Sequence, residues 1–157
     1  TLLSVKKWNR IFDFGGGENN SLFMTWSIET DLKKNKVEWQ NASASIGVDN
    51  SKKPYSLGKE FHIVMVIEPG TGSGGKTRIS WYSAPSDAAE LGAARGSFNT
   101  KKTLKSLDDT YDNLGRSFYG PDETANASYN EVRIWNGAAS WTVAEMLHKA
   151  GPDAVFK

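Results

Sequence analysis

The run Gly70-Thr71-Gly72-Ser73-Gly74-Gly75-Lys76-Thr77 satisfies the phosphate-loop pattern letter for letter and comes after an apolar stretch. That chemistry needs a helix to begin at the Lys-Thr pair, because loop amides and helix-terminal amides together hold the phosphates. The next residues are Arg78-Ile79-Ser80-Trp81-Tyr82-Ser83, alternating and partly β-branched, with Pro85 placed to break a helix. No later apolar strand ends in a metal-binding Asp. The run therefore reads as the loop of a β-hairpin, and a nucleotide-binding enzyme built on Gly70–Thr77 is a remote alternative. Gly70, Gly72 and Gly75 also fit the dinucleotide pattern, so the glycines by themselves discriminate little.

Other catalytic chemistries find weaker footing. Glu29 and Asp31 alternate at a strand end, as a paired-carboxylate hydrolase would need, but Lys33 and Lys34 come next and no third acid is in phase, so a solvated turn fits better. His62 sits in an apolar strand and His148 in a closing helix, neither with an acidic or histidine neighbour at ligand spacing. No Gly-x-Ser-x-Gly elbow is present. The chain contains no cysteine, which removes disulfides, thiol nucleophiles and Cys-type zinc sites. The expectation is a protein that binds and does not catalyse.

Two residue sets are suited to binding. Asp108, Asp109, Asp112 and Asp122 cluster in segments that read as loops, where hard cations such as calcium are held by oxygens, although no Asp-x-Asp-x-Asp-Gly loop occurs. Six tryptophans and five tyrosines supply flat apolar faces able to stack on sugar rings beside polar groups that hydrogen-bond hydroxyls. Trp26, Trp39 and Trp81 share strand faces with aliphatic residues and are expected in the core. Trp135 shares its face with Glu131 and Arg133, and Tyr82 with Arg78 and Ser80, so both are expected on a polar face. Tyr82, Tyr119, Arg133 and Trp135 form the candidate ligand set.

These residues are carried on segments of period two. Trp8 to Phe14 places Phe12 and Phe14 on one face before Gly15-Gly16-Gly17 breaks the run; Leu22 to Ile28 and Lys36 to Asn41 alternate cleanly. Phe61 to Glu68 is almost wholly apolar, as in a strand covered on both faces at the centre of a sheet. Arg78 to Tyr82 and Asn130 to Trp135 alternate again, while Ala88 to Ala94 fits either a short helix or an irregular loop. One helix closes the chain, with a capping box from Thr142 to Glu145, an apolar stripe of Val143, Met146 and Leu147, and a Gly151-Pro152 stop.

In 157 residues this amounts to one all-β domain. Nineteen basic residues against eighteen acidic ones leave no electrostatic footprint for nucleic acid. The longest apolar run, Ile63 to Ile67, is too short for membrane insertion as a helix.

Leu114-Gly115-Arg116-Ser117-Phe118-Tyr119-Gly120, together with Ala127 to Ala138 and its Asn-Glu-Val-Arg-Ile-Trp strand, resembles the end of the LamG-like, concanavalin A-like jelly-roll family. Trp8 to Gly17 resembles that family's early strand. The resemblance implies a two-sheet antiparallel jelly-roll sandwich over residues 1–157 with one short C-terminal helix. It further implies an extracellular or cell-surface module binding a glycan or polysaccharide, or a protein, sometimes with calcium at the rim. Asn130 stands where many members carry Asp, which weakens a cation site there. Members have strands ahead of the Trp8 segment, where this chain has seven residues. The resemblance thus leaves open a structural or adhesive module that self-assembles, a neighbour supplying a strand to an exposed edge.

Overall fold

The structure is a computed structural model that describes residues 1–40, 44–49, 54–108 and 110–154. Ten strands and one α-helix are present among these residues: β1 Leu2–Ser4, β2 Arg10–Gly17, β3 Asn20–Thr25, β4 Lys34–Trp39, β5 Ala44–Asp49, β6 Phe61–Gly72, β7 Lys76–Pro85, β8 Gly96–Thr100, β9 Tyr111–Leu114, β10 Asn126–Ala127 and α1 Trp141–Ala150. They form three antiparallel sheets, ordered β5-β4-β3-β2-β9, β6-β7-β8 and β1-β10.

The two larger sheets enclose one core, which gives the molecule its β-sandwich character. From the five-stranded sheet come Leu22, Met24, Val37 and Trp39; from the three-stranded sheet come Ile79 and Trp81, with Ile63, Met65, Ile67 and Phe98 packed against them. Trp26 is also buried there, so all three tryptophans expected in the core occupy it. Cross-strand pairs such as Phe14 with Leu22 and Leu22 with Trp39 obey the period-two pattern, because a one-residue slip would turn each of these faces to solvent. The opposite face of β7 carries Ala84 and Tyr82, which meet Leu91 and Ala144 in a second, smaller cluster under α1. The helix is thus a third layer.

Several sequence expectations change. The Gly15–Gly17 triplet does not end its strand: β2 runs through it, and the turn falls at residues 18–19. Gly15 has φ 145°, and a Cβ there would lie 2.3 Å from the Asn20 carbonyl oxygen, so the glycine is what lets β2 and β3 close on each other. The strand begins at Arg10 and not at Trp8, whose φ of 53° lies outside the extended region.

Phe61–Glu68 is a strand, but it stands at the end of its sheet and not in the centre, with β7 between it and β8. Gly70–Thr77 is the closed end of a β-hairpin: β6 runs to Gly72, a short 3₁₀ turn at Ser73–Gly75 connects the strands, and β7 starts at Lys76 where a phosphate loop would start a helix. Residues 88–94 are irregular.

Asn130–Trp135 forms no ladder. Its side chains take non-strand partners: Asn130 donates to Glu60 at 3.1 Å, and the Arg133 guanidinium bonds Glu131 and the Ala154 carbonyl. Alternation is therefore present without a neighbouring strand to turn it into a sheet, since strand identity depends on a partner and not on local pattern alone.

The helix also differs. Ser140 is its N-cap, accepting from the Val143 amide at 3.3 Å, so Thr142 and Glu145 make no capping box. Glu145 is instead buried and accepts from the Leu91 amide at 3.0 Å. Ala144, Glu145 and His148 face inward, while Val143 and Met146 of the expected apolar stripe face out. The helix docks by polar anchoring, because the loop at Leu91 and the strand at His62 present polar groups that must be satisfied when covered.

Candidate functional site

The outer face of the five-stranded sheet carries a buried ionic cluster. Asp13 of β2 lies opposite Phe23 and Asn113, and residues 116–124 turn back over this face. Arg10 Nη2 donates to Asp122 Oδ2 at 2.7 Å and Nε to Asp13 Oδ2 at 3.3 Å; all three side chains are at most 8% exposed. The guanidinium also stacks 3.9 Å above the Phe23 ring. Burial pushes the Asp13 carboxyl up from its ordinary range, opposed by hydrogen bonds from Ser21 and the Phe118 amide and by the charge of Arg10. One cation thus sits between two carboxylates in a place where unpaired charge is costly.

This cluster fixes the loop above it. The Phe118 amide donates to Asp13 Oδ2 at 3.1 Å, Ser117 Oγ donates to Asp122 Oδ2 at 2.9 Å, and the Tyr119 amide donates back to Ser117 Oγ at 3.0 Å. The Asp122 amide closes the turn on the Tyr119 carbonyl at 3.0 Å. Above these anchors lies an open hollow of about 430 Å³ lined by Arg116, Ser117, Phe118, Tyr119, Gly120, Asp122 and Thr124. Tyr119 is 51% exposed there. An aromatic face on an anchored backbone, rimmed by the Arg116 guanidinium and the Thr124 hydroxyl, is suited to stacking on a flat apolar ring that carries hydrogen-bonding groups.

The four expected ligand residues do not form one site. Tyr119 lines the hollow; Tyr82 lies beneath α1, packed with Ala84, Leu91 and Ala144, because Val64 opposite it on β6 and the helix together close that face. Trp135 is 51% exposed, as expected, but on the 130–135 segment, and Arg133 is taken by Glu131 and Ala154. Neither lines the hollow.

Nor do the expected cation ligands converge. Asp122 is bound by Arg10 and Ser117, Asp112 is an exposed β9 residue, Asp108 holds a turn by accepting from Thr110, and Asp109 lies outside the described residues. Among the described residues no three histidine, aspartate or glutamate side chains gather in a way that could hold a metal ion.

Nothing in the spacing of His62 and His148 marks them as neighbours. Their rings lie side by side with 7° between their planes, centroids 5.4 Å apart and Nδ1 atoms 3.3 Å apart, and His148 Nε2 lies 2.9 Å from the Ala88 carbonyl. The carbonyl only accepts, so Nε2 of His148 carries a proton, and in the neutral pair His62 Nδ1 donates to His148 Nδ1. Arg10 likewise escapes a reading of the sequence: a cation in an early strand carries no mark of a partner in the later loop. A second hollow of about 390 Å³ beside residues 83–91 carries Lys59, Glu90 and Arg95, but its ring, Phe61, is packed on the core and offers no stacking face.

Comparison of the chain with protein-family models, with curated proteins and with solved structures returns no match.

Proposed function

We propose that the chain is a noncatalytic, extracellular glycan-binding module of the LamG-like, concanavalin A-like jelly-roll type, with its sugar seated in the hollow around Tyr119. The observation that carries this reading is Tyr119 itself: half exposed, on a backbone tied to the buried Arg10–Asp13–Asp122 cluster, with Arg116 and Thr124 at the rim. A rigid aromatic loses little conformational freedom on binding, and the surrounding donors and acceptors set orientation. The jelly-roll assignment draws on the residue resemblance at Leu114–Gly120 and Trp8–Gly17 and on the two antiparallel sheets enclosing one core.

Affinity electrophoresis against a panel of neutral and acidic polysaccharides tests the reading. Retardation by at least one polysaccharide, lost in Tyr119→Ala while the variant keeps the unfolding midpoint of the parent, is the expected result. Absence of retardation across the panel, or retardation unchanged by Tyr119→Ala, overturns it.

A further inference from the structure

We infer that two copies of this chain pair edge to edge through β6, antiparallel about a two-fold axis at Met65. Strand edges in monomeric proteins are blunted by lysines, prolines, bulges or brevity. From Phe61 to Glu68 the outer edge of β6 has none of these. Its register with β7 is unbroken from Phe61–Pro85 to Glu68–Arg78, and among the described residues no other strand pairs with it. The 130–135 segment runs beside the start of β6, where Asn130 bonds Glu60 and Glu131 and Arg133 lie near His62, but adds no ladder. The composition is that of a central strand, yet seven of these eight residues remain only half-buried, Val66 alone being buried.

The sequence of the edge says what covers it. Ile63-Val64-Met65-Val66-Ile67 reads the same in both directions. Antiparallel pairing centred on Met65 therefore sets Ile63 against Ile67 of the second copy, Val64 against Val66, and Met65 against Met65. Each pair lies on one face of the sheet, since directly opposed residues share a face. Ile63, Met65 and Ile67 already pack on the sandwich core, so the pairing joins the two cores along one line. At either end His62 meets Glu68 of the second copy, an imidazole beside a carboxylate, and Pro69, which has no N–H, ends the ladder there. The product is a continuous six-stranded sheet with an isologous interface. It is independent of the glycan hollow, which belongs to the other sheet.

Sedimentation of the full chain over a concentration series tests this, with a mass that doubles as the expected result. Because the chain has no cysteine, Met65→Cys reports register: it forms a disulfide-linked dimer on mild oxidation, and Ser73→Cys at the hairpin tip does not. A monomer at every concentration overturns the inference. So does a dimer that cross-links through residue 73 and not 65.

Discussion

Arg10 Nη2 and Asp122 Oδ2 are 2.7 Å apart, both side chains less than a tenth exposed, and this contact ties the second strand to the loop that carries Tyr119. Replacing Arg10 with Leu leaves Asp13 and Asp122 buried without their cation. Removing one partner of a buried ion pair costs roughly 3–5 kcal/mol. Urea unfolding of Arg10→Leu should show a midpoint lowered accordingly with an unchanged slope. Asp122→Asn keeps the shape and a hydrogen bond, so its loss is smaller, but the turn at Tyr119 loosens and polysaccharide retardation weakens.

Acidification should loosen the docking of α1. Burial, and then the neighbouring His148, hold the His62 imidazole below its ordinary range, with Glu131 opposing and Arg133 adding to the depression. Glu145 and Lys149 are the charged groups on the helix beside His148. A histidine depressed in the folded state favours its neutral form. Its stabilising effect is therefore complete above the unfolded value of about 6.5 and is lost as pH falls through the lower folded value. Denaturation midpoints measured from about pH 7 to about pH 5 should decline in the parent and decline less in His62→Gln.

Helix capping separates two assignments of one segment. Ser140→Ala removes the acceptor for the Val143 amide and should cost about 1 kcal/mol. Thr142→Ala, at the position the sequence pattern singles out as a cap, should stay within about 0.5 kcal/mol. Thermal unfolding of the two variants side by side measures the difference. An equal loss in both would contradict the Ser140 cap.

The same contrast runs through the molecule. Capping preferences are local but degenerate, since a serine or threonine two residues away fits the pattern as well, and only helix docking chooses between them. Alternation with Arg78 and Ser80 puts Tyr82 on a polar face, but α1 covers the segment where Tyr82 sits, and no strand pattern encodes what a distant helix will cover. Asn130–Trp135 alternates as a strand does, but among the described residues no strand pairs with it. For the site, the sequence offers Tyr119 only as one of four candidates with Tyr82, Arg133 and Trp135, and of these Tyr119 lines the hollow. The anchors beneath it, Arg10 and Asp13, are invisible in a scan for spacing because they join the loop only through the fold.

By itself the sequence determined the period-two segments, the burial of Trp26, Trp39 and Trp81, the hairpin at Gly70–Thr77 and the absence of thiol chemistry, because each depends on residue type and on neighbours close along the chain. The tertiary structure decided that β6 stands at an edge, that His62 meets His148, that Arg10 binds Asp122, and that Tyr119 and Tyr82 part company. Those outcomes come from the order of strands and the path of the connecting loops, which bring together residues whose separation in sequence leaves no local trace.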